Sequence, residues 1–254
     1  MSNRYSTLFF TGCLLIALGL FVYFPGLNSQ FQFDDYPNIV VNERLHIQSL
    51  SLEDITKATL SGNSGFFKRP ISMLSFALNY NYSQLSPFAY KLTNLIIHLL
   101  NSLGIYWLSL LLFKKAQFTN TILPSLLIAI SWSVHPINLT SVLYIVQRMT
   151  SLSASFVILG IILFIYAKEY LHHNKLKPGL VCLILVLISG LAAVLTKENG
   201  ALVFVYLLLI NLIFYQDFFS ATAINRWINL IFFGLTLALP LLLVCAYSII
   251  KPEW

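Results

Sequence analysis

Residues 7–24 read TLFFTGCLLIALGLFVYF, and residues 33–37, a few positions later, read FDDYP. The first stretch carries no charged residue, and a continuous apolar run of about 20 residues can cross a bilayer as a helix. The second stretch places two adjacent carboxylates, Asp34 and Asp35, between aromatic residues. The pair therefore lies at the mouth of a predicted membrane span, where it is a candidate base, a candidate metal site or a solvated turn before Pro37.

The composition of the chain supports the same class of protein. Of 254 residues, 58% are hydrophobic and only 9% are charged, whereas a soluble domain carries about 25% charged residues. The apolar runs are continuous and do not alternate, which indicates helices and excludes barrel strands. A net charge of +6 fits topogenic loops or contacts with anionic lipid and phosphate. The sequence predicts an all-α membrane protein.

Seven apolar runs are predicted to span the membrane as a single transmembrane domain over residues 1–254. They are Thr7–Phe24, Phe88–Phe113, Thr121–Val134, Ser151–Ala167, Pro178–Leu195, Gly200–Tyr215 and Trp227–Ile250. Basic residues of the short loops favour the cytoplasmic side. They place the N-terminus in the cytoplasm and the C-terminus, which ends at Trp254, in the periplasm.

The first outer loop, residues 25–87, is the only sizeable segment predicted outside the membrane. Ser51 reads as a helix cap, because acidic residues follow it in the first turn and Glu53 precedes Lys57 by four positions. A second short helix is predicted over Ile71–Tyr80. Both helices are expected to lie at the membrane interface.

Polar and ionisable side chains, which are costly in a bilayer, all lie on the outer side of this predicted topology. They are Lys68, Arg69, Lys91, Asn94, His98, Asn101, His135, Gln147, Arg148, Lys197 and Glu198. Spacings of three and four put four of them on one face of the second span. Lysine and arginine can hold a phosphate, and a nearby carboxylate can take a proton from a hydroxyl. The collection therefore suits an anionic substrate that reaches the protein from the membrane.

Each group also has a simpler interpretation that the sequence leaves open. Lys68, Arg69 and Arg148 can be anchors for lipid phosphates. His98 can be a hydrogen-bonded histidine between helices. Lys197–Glu198 can be an ion pair at the membrane interface.

Five segments in order carry a resemblance to a known family. They are Phe33-Asp34-Asp35-Tyr-Pro, Arg69-Pro70, Asn94-Leu-Ile-Ile-His98, His135-Pro136 followed by Gln147-Arg148, and Lys197-Glu198. Together they resemble the GT-C glycosyltransferases, in particular bacterial relatives of the transmembrane-and-tetratricopeptide O-mannosyltransferases.

The resemblance implies an enzyme that moves a sugar, with inversion, from a polyprenyl-phosphate or polyprenyl-diphosphate carrier. The acceptor would be a hydroxyl of a protein Ser or Thr, or of a glycan, at the periplasmic face of a bacterial inner membrane. Asp34 or, preferably, Asp35 would be the base. Carrier contacts would come from Lys68, Arg69, Arg148 and Lys197, and the pocket would be lined by Lys91, Asn94, His98, His135, Gln147 and Glu198. A divalent metal occurs in some relatives, but the sequence neither requires one nor assigns a metal site.

Larger relatives continue beyond the seventh span, where this chain stops. A minimal enzyme, a truncated product and a subunit whose partner supplies the C-terminal part are all compatible with that difference. The alternative function is non-catalytic: a carrier-lipid binder, a flippase or an accessory subunit of a glycosylation complex.

Overall fold

The chain is mainly helical over the residues that the computed structural model describes, which are 2–65, 67–215, 226–228 and 230–234, with no strand among them. The helices are α1 (Ser2–Tyr23), α2 (Leu52–Thr59), α3 (Pro70–Ser83), α4 (Pro87–Lys115), α5 (Ile122–Ser133), α6 (Leu139–Leu143), α7 (Arg148–His172), α8 (Leu176–Thr196) and α9 (Leu202–Ile210). Short 3-10 or π turns extend or connect them at Phe24–Asn28, Tyr36–Val40, Glu43–Leu45, Pro136–Asn138, Ile145–Gln147, Glu198–Ala201 and Asn211–Tyr215. Residues 226–228 and 230–234 are also helical.

Five of the described helical segments are long and apolar enough to cross a membrane, and a sixth span results if one bent pair is counted. That pair is α5 with Pro136–Leu143, bent by 50°. The bend follows from Pro136, because His135 before it is extended with ψ 131 and a residue before proline avoids helical geometry. The prediction of an all-α, multi-pass membrane protein is confirmed. The predicted seventh span, Trp227–Ile250, lies largely outside the described residues.

The predicted boundaries differ most at α7, which begins at Arg148 instead of Ser151 and ends at His172. Polar residues at both ends are included because hydrogen bonds satisfy them inside the protein, a property that hydropathy does not report.

The first outer loop forms the two predicted helices, α2 and α3. Ser51 caps α2 as expected, since its hydroxyl accepts the N–H of Asp54 at 3.1 Å. The α3 helix is more deeply packed than an interfacial helix, because Met73, Phe76 and Ala77 are fully buried. These side chains join a core cluster with Tyr90 of α4 and with the connection before α7.

Two compact units divide the chain. The first contains Met1–Leu159 together with Ala192–Gly200, and the second contains Gly160–Leu191 together with Ala201–Trp254. Every predicted site residue belongs to the first unit, whose helices α1, α4 and α5 pack around buried Leu15, Tyr106 and Ala129. The prediction of one transmembrane domain over residues 1–254 stays a prediction.

Candidate functional site

The two adjacent acids of the first outer loop have opposite environments. Asp35 is completely buried, and its two carboxylate oxygens accept the backbone N–H groups of Gln32 at 2.9 Å and Val146 at 2.7 Å. Burial raises the pKa of Asp35, and the backbone N–H donors and the charge of Lys91 offset part of that rise. Asp34 is exposed. Of the two acids, Asp34 carries the carboxylate that is exposed, whereas Asp35 is enclosed; the choice of either as the base stays a prediction.

Asp34 is held by groups on both sides of its backbone. Its N–H donates to the hydroxyl of Tyr144 at 3.0 Å, and its carbonyl accepts the side-chain amide of Asn38 at 2.8 Å. Burial raises the pKa of Tyr144, and the negative charges of Asp34 and Asp35 contribute to the rise although the Asp34 N–H lowers it. The phenol therefore keeps its proton at neutral pH. Sequence reasoning missed Tyr144, because a lone uncharged aromatic residue gives no signal.

Lys91 and Asn94 of α4 support the chain beneath Asp34. The ammonium group of buried Lys91 donates to the carbonyl and hydroxyl of Ser29, and to the carbonyl of Gln30 at 2.9 Å. The amide of buried Asn94 donates to the carbonyls of Val142 and Ile145 at 3.3 and 3.2 Å. The sequence predicts both as pocket residues; Lys91 supports the segment before Asp34, and Asn94 supports the segment before α7.

Arg148, which the sequence predicts as a carrier contact, is fully buried, and that role stays a prediction. Four of its N–H groups donate to acceptors, and the guanidinium lies 4.8 and 5.4 Å from two ring centroids, those of Phe76 and Tyr90. The acceptors are Asn94 Oδ1 at 2.7 Å, Ser75 O at 3.1 Å, Asn79 Oδ1 at 2.7 Å and Tyr90 O at 2.9 Å. Because side chains and carbonyls of α3 and α4 occupy these donors, Arg148 cannot reach a lipid phosphate in this conformation.

His98, predicted as a pocket residue, lies buried between helices. Its Nε2 is 2.8 Å from the carbonyl of Ser133 in α5, and its ring stacks on Trp132 at 5.0 Å. Asn101, one turn further along α4, donates to the carbonyl of Ser151 at 2.8 Å. The polar stripe of α4 therefore ties this helix to α5 and α7.

Three of the predicted basic residues, Lys68, Arg69 and Lys197, are at least partly exposed. The guanidinium of Arg69 donates to both oxygens of Glu198, with Nη2 at 3.0 Å from Oε2. Gly65 closes over the pair: its φ is +78, and a Cβ placed there would lie 1.6 Å from Glu198 Oε1. Lys68 is exposed beside them. We call Arg69, Lys197 and Glu198 the basic cluster.

Lys197 completes the basic cluster and is anchored to α7. Its ammonium donates to the hydroxyl of Thr150 at 2.7 Å, and that hydroxyl donates in turn to Gln147 Oε1 at 2.8 Å. Burial lowers the pKa of Lys197, the positive charge of Arg69 lowers it further, and Glu198 opposes the shift. Thr150 is a second residue that sequence reasoning missed, because a threonine at a helix start is common.

His135 stands apart from these contacts. It is exposed, and its Nδ1 accepts the N–H of Ile137 at 3.2 Å, so the ring caps the turn that follows the α5 bend.

One short segment, residues 144–150, carries the contacts of both the acid and the basic cluster. Tyr144 binds Asp34, Met149 accepts from Arg69 at 3.4 Å, and Thr150 binds Lys197. An exposed carboxylate and two cations are thus fixed to the same stretch of chain. Within the described part of the chain, no three His, Cys, Asp or Glu side chains are grouped so that they could hold a metal ion.

Comparisons with known proteins give one group of relatives. No protein-family model matches the chain, and no solved structure matches it. Protein O-mannosyl-transferase F38B6.6 of Caenorhabditis elegans is 29% identical over 161 residues, which cover 61% of this chain and 23% of that protein. Protein O-mannosyl-transferase TMTC3 of Mus musculus is 28% identical over 192 residues, covering 74% and 20%. Protein O-mannosyl-transferase TMTC4 of Homo sapiens is 29% identical over 188 residues, covering 68% and 25%.

The chain spans a quarter or less of the length of these curated relatives. The identity is modest but extends over most of the chain, and the relatives are the family whose motifs the sequence resembles. The chain is therefore similar, over most of its length, to protein O-mannosyl-transferases of the TMTC type.

Proposed function

We propose that this chain is a membrane glycosyltransferase that moves a sugar from a polyprenyl-phosphate or polyprenyl-diphosphate carrier to a Ser or Thr hydroxyl of a protein. The reaction takes place at the membrane face opposite the N-terminus, which is the periplasmic face in a bacterium. One observation carries the proposal: residues 144–150 contact the backbone N–H of Asp34, whose side chain is exposed, and the side chains of two cations, Arg69 and Lys197.

In the proposed reaction Asp34 is the base. Its carboxylate takes the proton of the acceptor hydroxyl while the hydroxyl oxygen forms a bond to the anomeric carbon of the sugar. The bond between that carbon and the phosphate oxygen breaks, and the electron pair leaves with the phosphate. Attack from the side opposite the leaving group inverts the anomeric centre. Asp35 does not take this role, because both of its oxygens already accept backbone N–H groups.

The leaving phosphate is assigned to the basic cluster. An ammonium group has three N–H donors, and the hydroxyl of Thr150 accepts one of those of Lys197. Arg69 and Lys197 together carry two positive charges against the single negative charge of Glu198, so the cluster attracts an anion. Charge-assisted hydrogen bonds to phosphate are about twice as strong as neutral ones. Lys68, exposed next to Arg69, adds to the same positive field.

The names of the relatives support protein as the acceptor and favour mannose as the sugar. A transfer assay with the full chain in lipid nanodiscs tests the proposal, using radiolabelled polyprenyl-phosphate-mannose and a threonine-containing peptide. We expect Asp34→Asn to lower the transfer rate by about 10²- to 10⁴-fold at unchanged abundance. Glu43→Gln, at another exposed acid of the loop, is the matched control and should leave the rate unchanged. Full activity of Asp34→Asn would exclude the carboxylate as base.

A second candidate function is a carrier-binding or accessory subunit, because the basic cluster can hold a phosphate without any transfer step. That alternative predicts that the wild-type chain binds polyprenyl phosphate tightly but transfers no sugar until a second membrane protein is added. The same nanodiscs distinguish the two functions, because carrier binding and sugar transfer are measured separately.

A further inference from the structure

Phe33 adopts a backbone conformation that phenylalanine rarely adopts, and its ring is exposed. Its φ is +38, in the left-handed region that is strained for a bulky side chain, and the side chain is 82% exposed. No burial of the Phe33 ring compensates for that strain. Non-glycine residues held in such conformations cluster at ligand clamps and active sites, so Phe33 is a candidate binding residue.

The exposed ring of Phe33 lies beside half-buried Tyr144 and exposed Asp34. Its centroid lies 6.4 Å from that of Tyr144, with the two planes nearly perpendicular. The hydroxyl of Tyr144 accepts the N–H of Asp34 at 3.0 Å. Two aromatic rings therefore stand directly beside the exposed carboxylate; we call them the Phe33–Tyr144 pair.

Buried hydrogen bonds fix the two backbone segments that carry this pair. Asp35 bonds to the N–H of Gln32 on one side and to the N–H of Val146 on the other. It thereby joins the backbone that carries Phe33 to the backbone that carries Tyr144. A rigid aromatic surface binds a ligand with little loss of conformational entropy.

Charge decides which part of the substrate meets the pair. The cations contact other groups: Lys91 donates to Ser29, Lys197 donates to Thr150, and Arg69 pairs with Glu198. The proposed function assigns the phosphate to Arg69 and Lys197, so the charge that lies directly at the pair is that of Asp34. A phosphate placed at the pair would meet the negative charge of Asp34 and be repelled. The surface beside Asp34 therefore suits a molecule that carries no negative charge.

We propose that the Phe33–Tyr144 pair is the docking site for the acceptor polypeptide and selects segments with a flat apolar residue, proline or an aromatic, next to the Ser or Thr. Aromatic and proline rings stack on exposed aromatic side chains, and an acidic flanking residue is disfavoured by Asp34. The inference rests on the proposed function, because the acceptor hydroxyl is the group that Asp34 deprotonates.

Peptide binding, which needs no sugar transfer, tests the inference. The full chain in nanodiscs is titrated with a fluorescent peptide whose single threonine lies between proline and phenylalanine, and with a peptide whose threonine lies between glycines. We expect the wild type to bind the first peptide more tightly by roughly threefold to tenfold. Phe33→Leu should remove that difference, and Phe33→Trp should keep it.

Tyr82→Leu is the matched control, because Tyr82 is an exposed aromatic residue of α3 with 83% of its side chain accessible. It should change neither peptide affinity nor the affinity for polyprenyl phosphate measured in the same nanodiscs. If Phe33 is only a membrane anchor, Phe33→Leu keeps the preference between the peptides and the inference is wrong. It is equally wrong if the wild type binds both peptides alike or binds neither. Absence of sugar transfer in the wild type, by contrast, counts against the proposed function alone.

Discussion

The Nε of Arg148 donates to the Oδ1 of Asn94 at 2.7 Å, and both side chains are completely buried. Asn94 uses its amide group to bind the carbonyls of Val142 and Ile145. The pair therefore fixes the start of α7 and the end of α6 to α4. Residues 144–150 follow the end of α6 and include the start of α7. The hydrogen bond between Arg148 and Asn94 therefore positions this segment without touching a substrate.

Replacing Arg148 should destabilise the fold. In Arg148→Lys the ammonium cannot reach all four acceptors, so the buried Oδ1 of Asn94 and the partly buried Oδ1 of Asn79 cannot both keep their donors. We expect the free energy of unfolding to fall by about 3 kcal/mol, seen as a lower melting temperature and lower abundance in membranes. Arg44→Lys, at an exposed arginine, is the control and should melt like the wild type. An Arg148→Lys protein with normal melting but weakened binding of polyprenyl phosphate would support Arg148 as a carrier contact.

The burial of Asp35 should make the stability of the protein depend on pH. Because burial raises the pKa of Asp35, the folded state binds a proton more readily than the unfolded chain. The stabilisation that comes from this proton is therefore fully present below the pKa of the unfolded chain, about 3.9. It is lost as the pH rises through the pKa of Asp35 in the folded protein. Asn cannot titrate, so the melting temperature of the wild type minus that of Asp35→Asn should be largest at acidic pH and decrease towards neutral pH. A difference that grows with pH would mean that the backbone N–H donors and Lys91 outweigh burial.

Sequence patterns predicted the helical class, the outer loop and the residues that gather near its end. They could not tell which of Asp34 and Asp35 is buried, because neighbouring side chains in a turn point in different directions. The carboxylate that is buried is the one that accepts the N–H of Val146, 111 positions away in the sequence. Arg148 looked like a phosphate ligand for the same reason that it can be buried: its fixed fork of donors serves carbonyl and amide oxygens equally well.

Removing the charge of Glu198 should strengthen carrier binding. Glu198→Gln keeps the size of the side chain but removes the negative charge that Arg69 now pairs with. A phosphate then meets two cations without a competing carboxylate, so its Kd should fall by a few fold. Because both partners are partly exposed, stability should change by less than about 1 kcal/mol. The control is Glu53→Gln, which breaks the exposed pair with Lys57 and should leave the Kd for polyprenyl phosphate unchanged. Weaker binding by Glu198→Gln would show instead that Glu198 positions Arg69 for the ligand.

Carrier binding should weaken at alkaline pH in the wild type. Burial and the charge of Arg69 lower the pKa of Lys197. As the pH rises, its ammonium group therefore loses its proton before the usual lysine pKa of about 10.4 is reached. The affinity for polyprenyl phosphate should fall as the pH rises through that lowered pKa. Lys197→Arg stays charged and should bind with little dependence on pH in the same range. The same alkaline loss in both proteins would assign the titration to another group.

Membrane topology decides whether the site faces the compartment that the proposal requires. In a chain whose three cysteines are replaced by alanine, Asn63→Cys in the first loop and Lys175→Cys between α7 and α8 introduce single thiols at exposed positions. Because α7 is long and apolar enough to cross the membrane, the two thiols should lie on opposite sides. A membrane-impermeant maleimide added to intact cells should label Asn63→Cys and should label Lys175→Cys only after the cells are permeabilised. The reverse pattern would place Asp34 and the basic cluster on the cytoplasmic side and exclude the proposed transfer at the outer face.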